Sequence, residues 1–211
     1  KLLAKSLRPL PEKHEGLKDK ETRMRRRYLD TTVNKEVRDR FVRRSKFWKA
    51  HREFFDKKGF LEMNIPVLEL VPGGGDANPF VTHMEAIDQD FYLRISQELY
   101  LKRLIGGGYE KVYEIGPRFR NEGLSDEHLP EHMAMEFYWA YADYNDGMEL
   151  VQELYQRIAQ DVFGTTVFTT GKHTYDLSGE WPRIDYREEV LRQTGIDVLK
   201  TDEKEIMTKL E

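Results

Sequence analysis

The chain has 211 residues, 39% of them hydrophobic and 34% charged, which suits one large globular domain or a large part of one. Its 34 Lys and Arg against 38 Asp and Glu leave a formal charge of -4, so bulk charge does not draw it to nucleic acid and any RNA contact must be local. Cysteine is absent, excluding disulfides and thiolate metal sites, and with no signal peptide or apolar run of membrane-spanning length the expected location is the cytoplasm.

Residues 1–30 are basic, and Pro9 and Pro11 predict an extended connector rather than a helix. Its cluster Arg23, Arg25, Arg26 and Arg27 reads either as a phosphate-contacting patch or as a solvated linker face. Asn34 is suited to cap a helix running to about Lys58. Phe41, Ser45, Trp48, Arg52 and Phe55 fall at helical spacing, with Val37, Phe47 and Phe54 widening the apolar stripe. Gly59 ends this helix, and Phe60 to Ile65 reads as a strand closed by Pro66. Val71 to His83, VPGGGDANPFVTH, reads as a loop whose three glycines free the backbone for close approach to a ligand, though they suit any loop. Phe91 to Ile95 is a short strand, and Ser96 caps a helix through Leu104, with Gly106 to Gly108 beyond it. Glu98 lies in the first turn of that helix, where a carboxylate is favourable with the dipole.

Lys111 to Tyr141 alternates with a period of two on either side of a polar loop, which predicts paired strands. Tyr113, Ile115 and Phe119 share one face with Met133, Met135, Phe137, Trp139 and Tyr141. Glu114, Arg118, Arg120, His132, Ala134, Glu136 and Tyr138 share the other. Antiparallel strands often show a solvated polar face. This one mixes opposite charges with a tyrosine, which fits the floor of a polar pocket better. Asp143 to Phe163 then reads as an amphipathic helix ended by Gly164, Thr165 to Leu177 as a hairpin, and Ile184–Gln193 and Asp202–Leu210 as short helices without a motif.

The run FRNE at Phe119 to Glu122, followed by His128 and His132, resembles motif 2 of class II aminoacyl-tRNA synthetases. The continuation MEFYWAYADYNDGMEL, Met135 to Leu150, is similar to the lysyl-tRNA synthetase form of that motif. Residues 35–66 likewise resemble motif 1, which builds the two-fold dimer interface in that family. An amphipathic helix covering its own sheet would give the same pattern. The resemblance implies an α+β fold, an antiparallel β-sheet flanked by helices, and not a doubly wound sheet, since no βαβ unit follows the glycines. Residues 1–30 resemble the segment after the small anticodon-binding barrel, and 31–211 a partial catalytic domain with motif 2 over 111–141 and an insertion-like region over 165–211. The family's third motif and its acidic metal ligands do not appear, so the fold is expected to be incomplete at its C-terminal end.

The implied reaction is attack by an amino acid's carboxylate on the α-phosphate of ATP, followed by transfer to tRNA. The carboxylate is already ionised at pH 7, so alignment and charge neutralisation are what the protein must supply. By the resemblance, Arg120 bridges the amino acid's carboxylate and the α-phosphate, a task its planar guanidinium suits. Glu122 accepts from the adenine amino group, His128 meets the outer phosphates, and His132 stands where the family stacks an aromatic ring. Mg²⁺ is expected to be held outside this chain, and no metal ligand is assigned within it. Where the family usually has a basic residue this chain has Glu127, and four acids, Glu122, Asp126, Glu127 and Glu131, make the loop unwelcoming to triphosphate.

Lysine carries two ammonium groups, each needing a carboxylate once water is excluded. The resemblance gives Gly74 (through its carbonyl) and Glu98 the α-ammonium, with Glu136 and Tyr138 at the ε-end. Gly75, Asp76 and Asn78 depart from the family's commoner loop. An aspartyl or asparaginyl enzyme would want a basic or amide group where Glu136 stands. The implied partners are lysine, ATP, tRNA(Lys) and a second copy of the chain. Alternatives are a paralogue that lysylates a protein, and a synthetase-like module that binds without catalysis.

Overall fold

The computed structural model describes residues 3–5, 7, 10, 17–125 and 127–210, so Pro9, Pro11, Asp126 and Glu211 lie outside the described residues. The chain divides into two compact units, Lys1–Thr165 and Thr166–Glu211. Among the described residues no helix is long and apolar enough to cross a membrane.

The expected extended connector is helical from Lys20 onward: α1 spans Lys20–Arg25 and α2 Arg27–Val33. The prolines constrain only their own neighbourhood, whereas Asp19 caps α1 by accepting from the Thr22 amide at 2.7 Å. Asp30, fully buried, then gathers the Arg23 Nε (3.0 Å), Arg27 Nη1 (2.6 Å) and Asn34 Nδ2 (2.5 Å) donors. Arg25 pairs with Glu21. Three of the four arginines offered for RNA thus hold carboxylates of the chain itself. Asn34 does sit at the N-cap of α3 (Lys35–Lys57), but its amide serves Asp30 instead of the helix.

The buried face of α3 runs through Val37, Ala50, His51, Phe54 and Phe55, while Phe41 and Val42 remain exposed. The helix ends as its glycine predicts. Gly59 takes φ 79°, its amide donates to Asp56 O and the Phe60 amide to Phe55 O, both at 3.0 Å. This turn drives Phe60 edge-on against Phe55, with ring centroids 5.0 Å apart. The strand expected over Phe60 to Ile65 shortens to β1, Leu61–Glu62, because the Ile65 amide turns to the Glu114 carboxylate at 3.4 Å.

The central hairpin is β5 (Lys111–Phe119) and β6 (Glu131–Trp139), antiparallel and in continuous register from Lys111↔Trp139 to Phe119↔Glu131. β1 joins the β5 edge in parallel. A second, antiparallel sheet has the order β2 (Leu68–Glu69), β4 (Gln89–Leu93), β3 (Val81–Met84). β3 falls inside the stretch expected to be loop; its four residues are too few to show a period. Helix α4 spans Glu98–Gly106 and α5 Tyr144–Ile158, the latter opened by a reciprocal Asp143–Asp146 capping box and extended by a π turn over Ala159–Phe163.

Most of the expected apolar hairpin face packs inwards, but Tyr141, at φ 64° and past the end of β6, is exposed. Tyr113, Ile115, Met133, Met135, Phe137 and Trp139 meet Phe54, Phe55, Leu150, Leu154 and Ile158 of α3 and α5. In the second unit, β7 (Val167–Thr170) and β8 (His173–Asp176) form the expected hairpin. Helices α6 (Tyr186–Thr194) and α7 (Glu203–Leu210) follow, and the Arg187 guanidinium grips Asp197 through two bonds of 2.7 and 2.6 Å.

Phe55 is fully buried and touches the rings of Phe54, Phe60, Tyr113 and Phe137. Phe55→Ala should therefore cost about 3–5 kcal/mol, measured by denaturant unfolding. A loss below about 1 kcal/mol would contradict this core.

Candidate active site

The second face of the hairpin is covered by α4 and divides into two parts. At one end Val112 and Tyr138 pack with Ile65 and with Leu101, Leu104 and Ile105 of α4. Beyond them lies an ionic layer. Arg94, fully buried at the end of β4, places Nη1 2.7 Å from Glu114 Oε2 and donates Nε to Pro117 O at 2.8 Å. Gly116 makes the room: a Cβ there would stand 2.3 Å from Arg94 Nη2. Arg94 had no role in the sequence reading. Its signal was a lone charge inside the apolar run FYLRI, which a buried strand tolerates only with a partner.

The residues expected to hold the amino acid come together. Glu136 receives Arg118 Nη2 at 2.7 Å and the Ser96 hydroxyl at 3.1 Å (Oε1) and 3.3 Å (Oε2). The same hydroxyl oxygen accepts the Glu98 amide at 3.1 Å, so one serine joins the start of α4 to the hairpin. Gly74, at φ +83°, lies directly above: a Cβ there would be 2.8 Å from Glu98 Cβ and 2.9 Å from Ser96 Oγ. Only glycine fits this approach and this backbone. Burial, and then the negative charges of Glu98 and Glu136, push the Tyr138 hydroxyl up to about 12. Glu98 also pairs with Lys102 one turn along α4. Arg118 lies on the polar hairpin face where the sequence placed it, while Ser96, expected only as a helix cap, and Gln97, given no role, join it here.

The residues expected to hold ATP line one cavity of about 470 Å³: Arg120, Glu122, His128 and His132, with Gly123, Glu127 and Leu129. Arg120 Nε is buried and has no hydrogen-bond partner among the described residues. The Arg120 amide is held by Pro130 O at 2.9 Å, and the neighbouring Asn121 amide donates to Asn78 O at 2.7 Å. That bond latches the glycine loop to the loop after β5. His128 Nδ1 lies 2.7 Å from Ser125 Oγ. Glu122 and Glu127 keep the lining partly anionic, as expected. Among the described residues no group of three or more His, Asp or Glu side chains is spaced to hold a metal, and we assign them no Mg²⁺ ligand.

A helix N-terminus, a glycine loop and an antiparallel hairpin whose first strand runs into FRNE thus meet at one end of the sheet. Known proteins resemble this sequence. The model of the tRNA synthetases class II (D, K and N) matches residues 19–210, and the chain belongs to that family. A lysine–tRNA ligase of Halalkalibacterium halodurans is 55% identical over 196 residues, 93% of this chain and 39% of that protein. One from Roseiflexus is 51% identical over 204 residues (97% and 42%), and one from Thermotoga maritima 47% identical over 210 residues (100% and 42%). The chain thus spans about two fifths of the length of these curated relatives.

His132 tests the electrostatics. Burial first, then the Arg118 and Arg120 charges, hold its imidazole below the usual value. A base depressed on folding adds stability above its unfolded value, near 6.5, that is lost as pH falls through the folded value. An NMR titration should place the His132 midpoint below about 6.5, and Arg120→Gln should raise it. A midpoint at or above the unfolded value would contradict the arrangement.

Proposed function

We propose that this chain carries the amino-acid-activating site of a lysine–tRNA ligase, which joins lysine to ATP as lysyl-adenylate and passes the lysyl group to tRNA(Lys). The observation that carries this reading is the meeting of two glutamates at Ser96, whose hydroxyl donates to the Glu136 carboxylate and accepts the Glu98 amide, with Gly74 against it and Tyr138 next on the same face of β6. A dication such as lysine needs such a pair, and a neutral or acidic side chain would leave Glu136 facing no cation of the substrate. That the relatives named above are lysine–tRNA ligases supports the same choice.

In this reading Glu98 and the Gly74 carbonyl receive the α-ammonium, and Glu136 with Tyr138 the ε-ammonium. Arg120 bridges the substrate carboxylate and the α-phosphate. A carboxylate oxygen forms the new bond to phosphorus as the bond to the bridging β-phosphate oxygen breaks, and pyrophosphate leaves with that electron pair. Arg120 Nε, buried and without a hydrogen-bond partner among the described residues, suits the negative charge that builds on the phosphoryl oxygens. Glu122, His128 and His132 then seat adenine and the outer phosphates in the cavity they line. Mg²⁺, the family's usual companion of ATP, would offset Glu122 and Glu127.

The antiparallel sheet with helices on its faces is, in this proposal, that of a class II catalytic domain over residues 31–211. A homodimer through motif 1 is part of it, supported by the exposed Phe41 and Val42 on α3. So is a cytoplasmic site of action.

Glu136→Gln in the complete protein should lower kcat/KM for lysine in ATP–pyrophosphate exchange by roughly ten- to a hundredfold, since a hydrogen bond to a charged group is worth roughly 1.5–3 kcal/mol. The KM for ATP should hold. Unchanged lysine dependence would overturn the assignment.

A further inference from the structure

Each carboxylate proposed to receive an ammonium of the substrate already faces a cation of the chain: Lys102 on Glu98, and Arg118 on Glu136. The two cations are held very differently. The Lys102 side chain is 56% exposed and one turn away on the same helix, so it can swing into water when a ligand arrives. The Arg118 side chain is 14% exposed. Its Nε donates to Gln97 Oε1 at 3.2 Å, and Gln97 is itself fully buried, with Nε2 donating to Gly116 O at 3.3 Å and Ala134 O at 3.4 Å. Gln97 is thereby bonded to both strands of the hairpin at their smallest facing pair, Gly116↔Ala134. Withdrawing Arg118 would strand a buried amide oxygen and leave Glu136 without its cation, and both oppose its leaving.

We propose that Arg118 is a specificity-determining positioning residue, a resident guanidinium that stays on Glu136 when the substrate binds and fixes where the ε-ammonium must arrive. This rests on the lysine reading above. Arg118 holds Glu136 Oε1 at 2.7 Å, and the Ser96 hydroxyl is shared between Oε1 at 3.1 Å and Oε2 at 3.3 Å. So held, the carboxylate resists rotation towards a shorter ligand, and the second lone pair of Oε2, the oxygen that Arg118 leaves, is what an incoming ammonium beside Tyr138 can take. A carboxylate pinned in this way measures chain length: a diamino acid one methylene shorter than lysine cannot draw it closer. Without the pin, Glu136 would follow either ligand and the measurement would blur.

The test is ATP–pyrophosphate exchange by the complete protein with lysine and with ornithine, comparing wild type, Arg118→Gln, Arg118→Lys, Ser96→Ala and Lys102→Gln. Arg118→Gln should raise the KM for lysine about tenfold and cut the lysine-over-ornithine preference about tenfold, leaving the KM for ATP within about twofold. Ser96→Ala should shift both lysine quantities in the same direction by a few fold. Arg118→Lys, which keeps a cation on Glu136, should recover part of the loss, and Lys102→Gln should leave the preference unchanged. An unaltered lysine-to-ornithine ratio in Arg118→Gln would overturn the proposal. So would a parallel rise in the ATP KM, which marks a general structural defect, or an equal effect of Lys102→Gln, which marks unspecific electrostatics. Wild-type protein without lysine-dependent exchange would instead refute the proposed function, and this inference with it.

Discussion

The unbroken register between β5 and β6 is the constraint on which the rest of the structure depends. From Lys111↔Trp139 to Phe119↔Glu131 no residue is inserted or skipped, so every side chain of the pair is committed to a face. One face delivers Tyr113, Ile115, Phe137 and Trp139 to the core against α3 and α5. The opposite face therefore delivers Glu114, Arg118, Glu136 and Tyr138 together under α4 and the glycine loop. A slip of one residue would bury those charges in the aromatic core and turn the rings towards the cavity. Core packing and site geometry are thus one specification, and neither can change without the other.

The charges beneath α4 form a graded set. Deepest is Arg94 with Glu114, wholly enclosed, with Gly116 giving it space. Next is Arg118 with Glu136, bonded through Gln97 and Ser96 to backbone on three sides. Outermost is Lys102 with Glu98, largely in water. Buried pairs of this kind contribute little net stability but hold their members in one arrangement. That suits a site whose work is to align two substrates instead of supplying a general base. The Asn121–Asn78 backbone bond extends the alignment, tying the loop above the amino-acid end to the loop around the nucleotide end.

Much of this was legible in the sequence because the hairpin alternates over nine residues per strand and α3 over six turns. Gly59 and the glycine run around Gly74 were equally readable, glycine being what a helix stop and a close backbone approach require. What escaped were features without local periodicity. β2 is two residues long and exists only through its partner, and of the strand read over Phe60 to Ile65 only the two residues of β1 pair. The helical turns after Lys20 were hidden by the weight given to Pro9 and Pro11, although Asp19 stands at the right place to start them. The stripe predicted through Phe41 is displaced because the aromatic core meets α3 from Phe47 onward, and in the earlier turns Val37 is buried while Phe41 is exposed. Arg94, Ser96 and Gln97 bond across separations of 19 to 40 residues, which no window along the chain can see.

The central claim is that one bound molecule touches Glu98, Arg120, Glu136 and Tyr138 at once. A crystal structure of the complete protein with a non-hydrolysable lysyl-adenylate analogue measures this directly. The account predicts the α-ammonium within hydrogen-bonding distance of Glu98, the ε-ammonium on Glu136 and Tyr138, and the phosphate mimic on Arg120. An analogue whose ε-ammonium lies away from Glu136, or whose phosphate mimic misses Arg120, would contradict it.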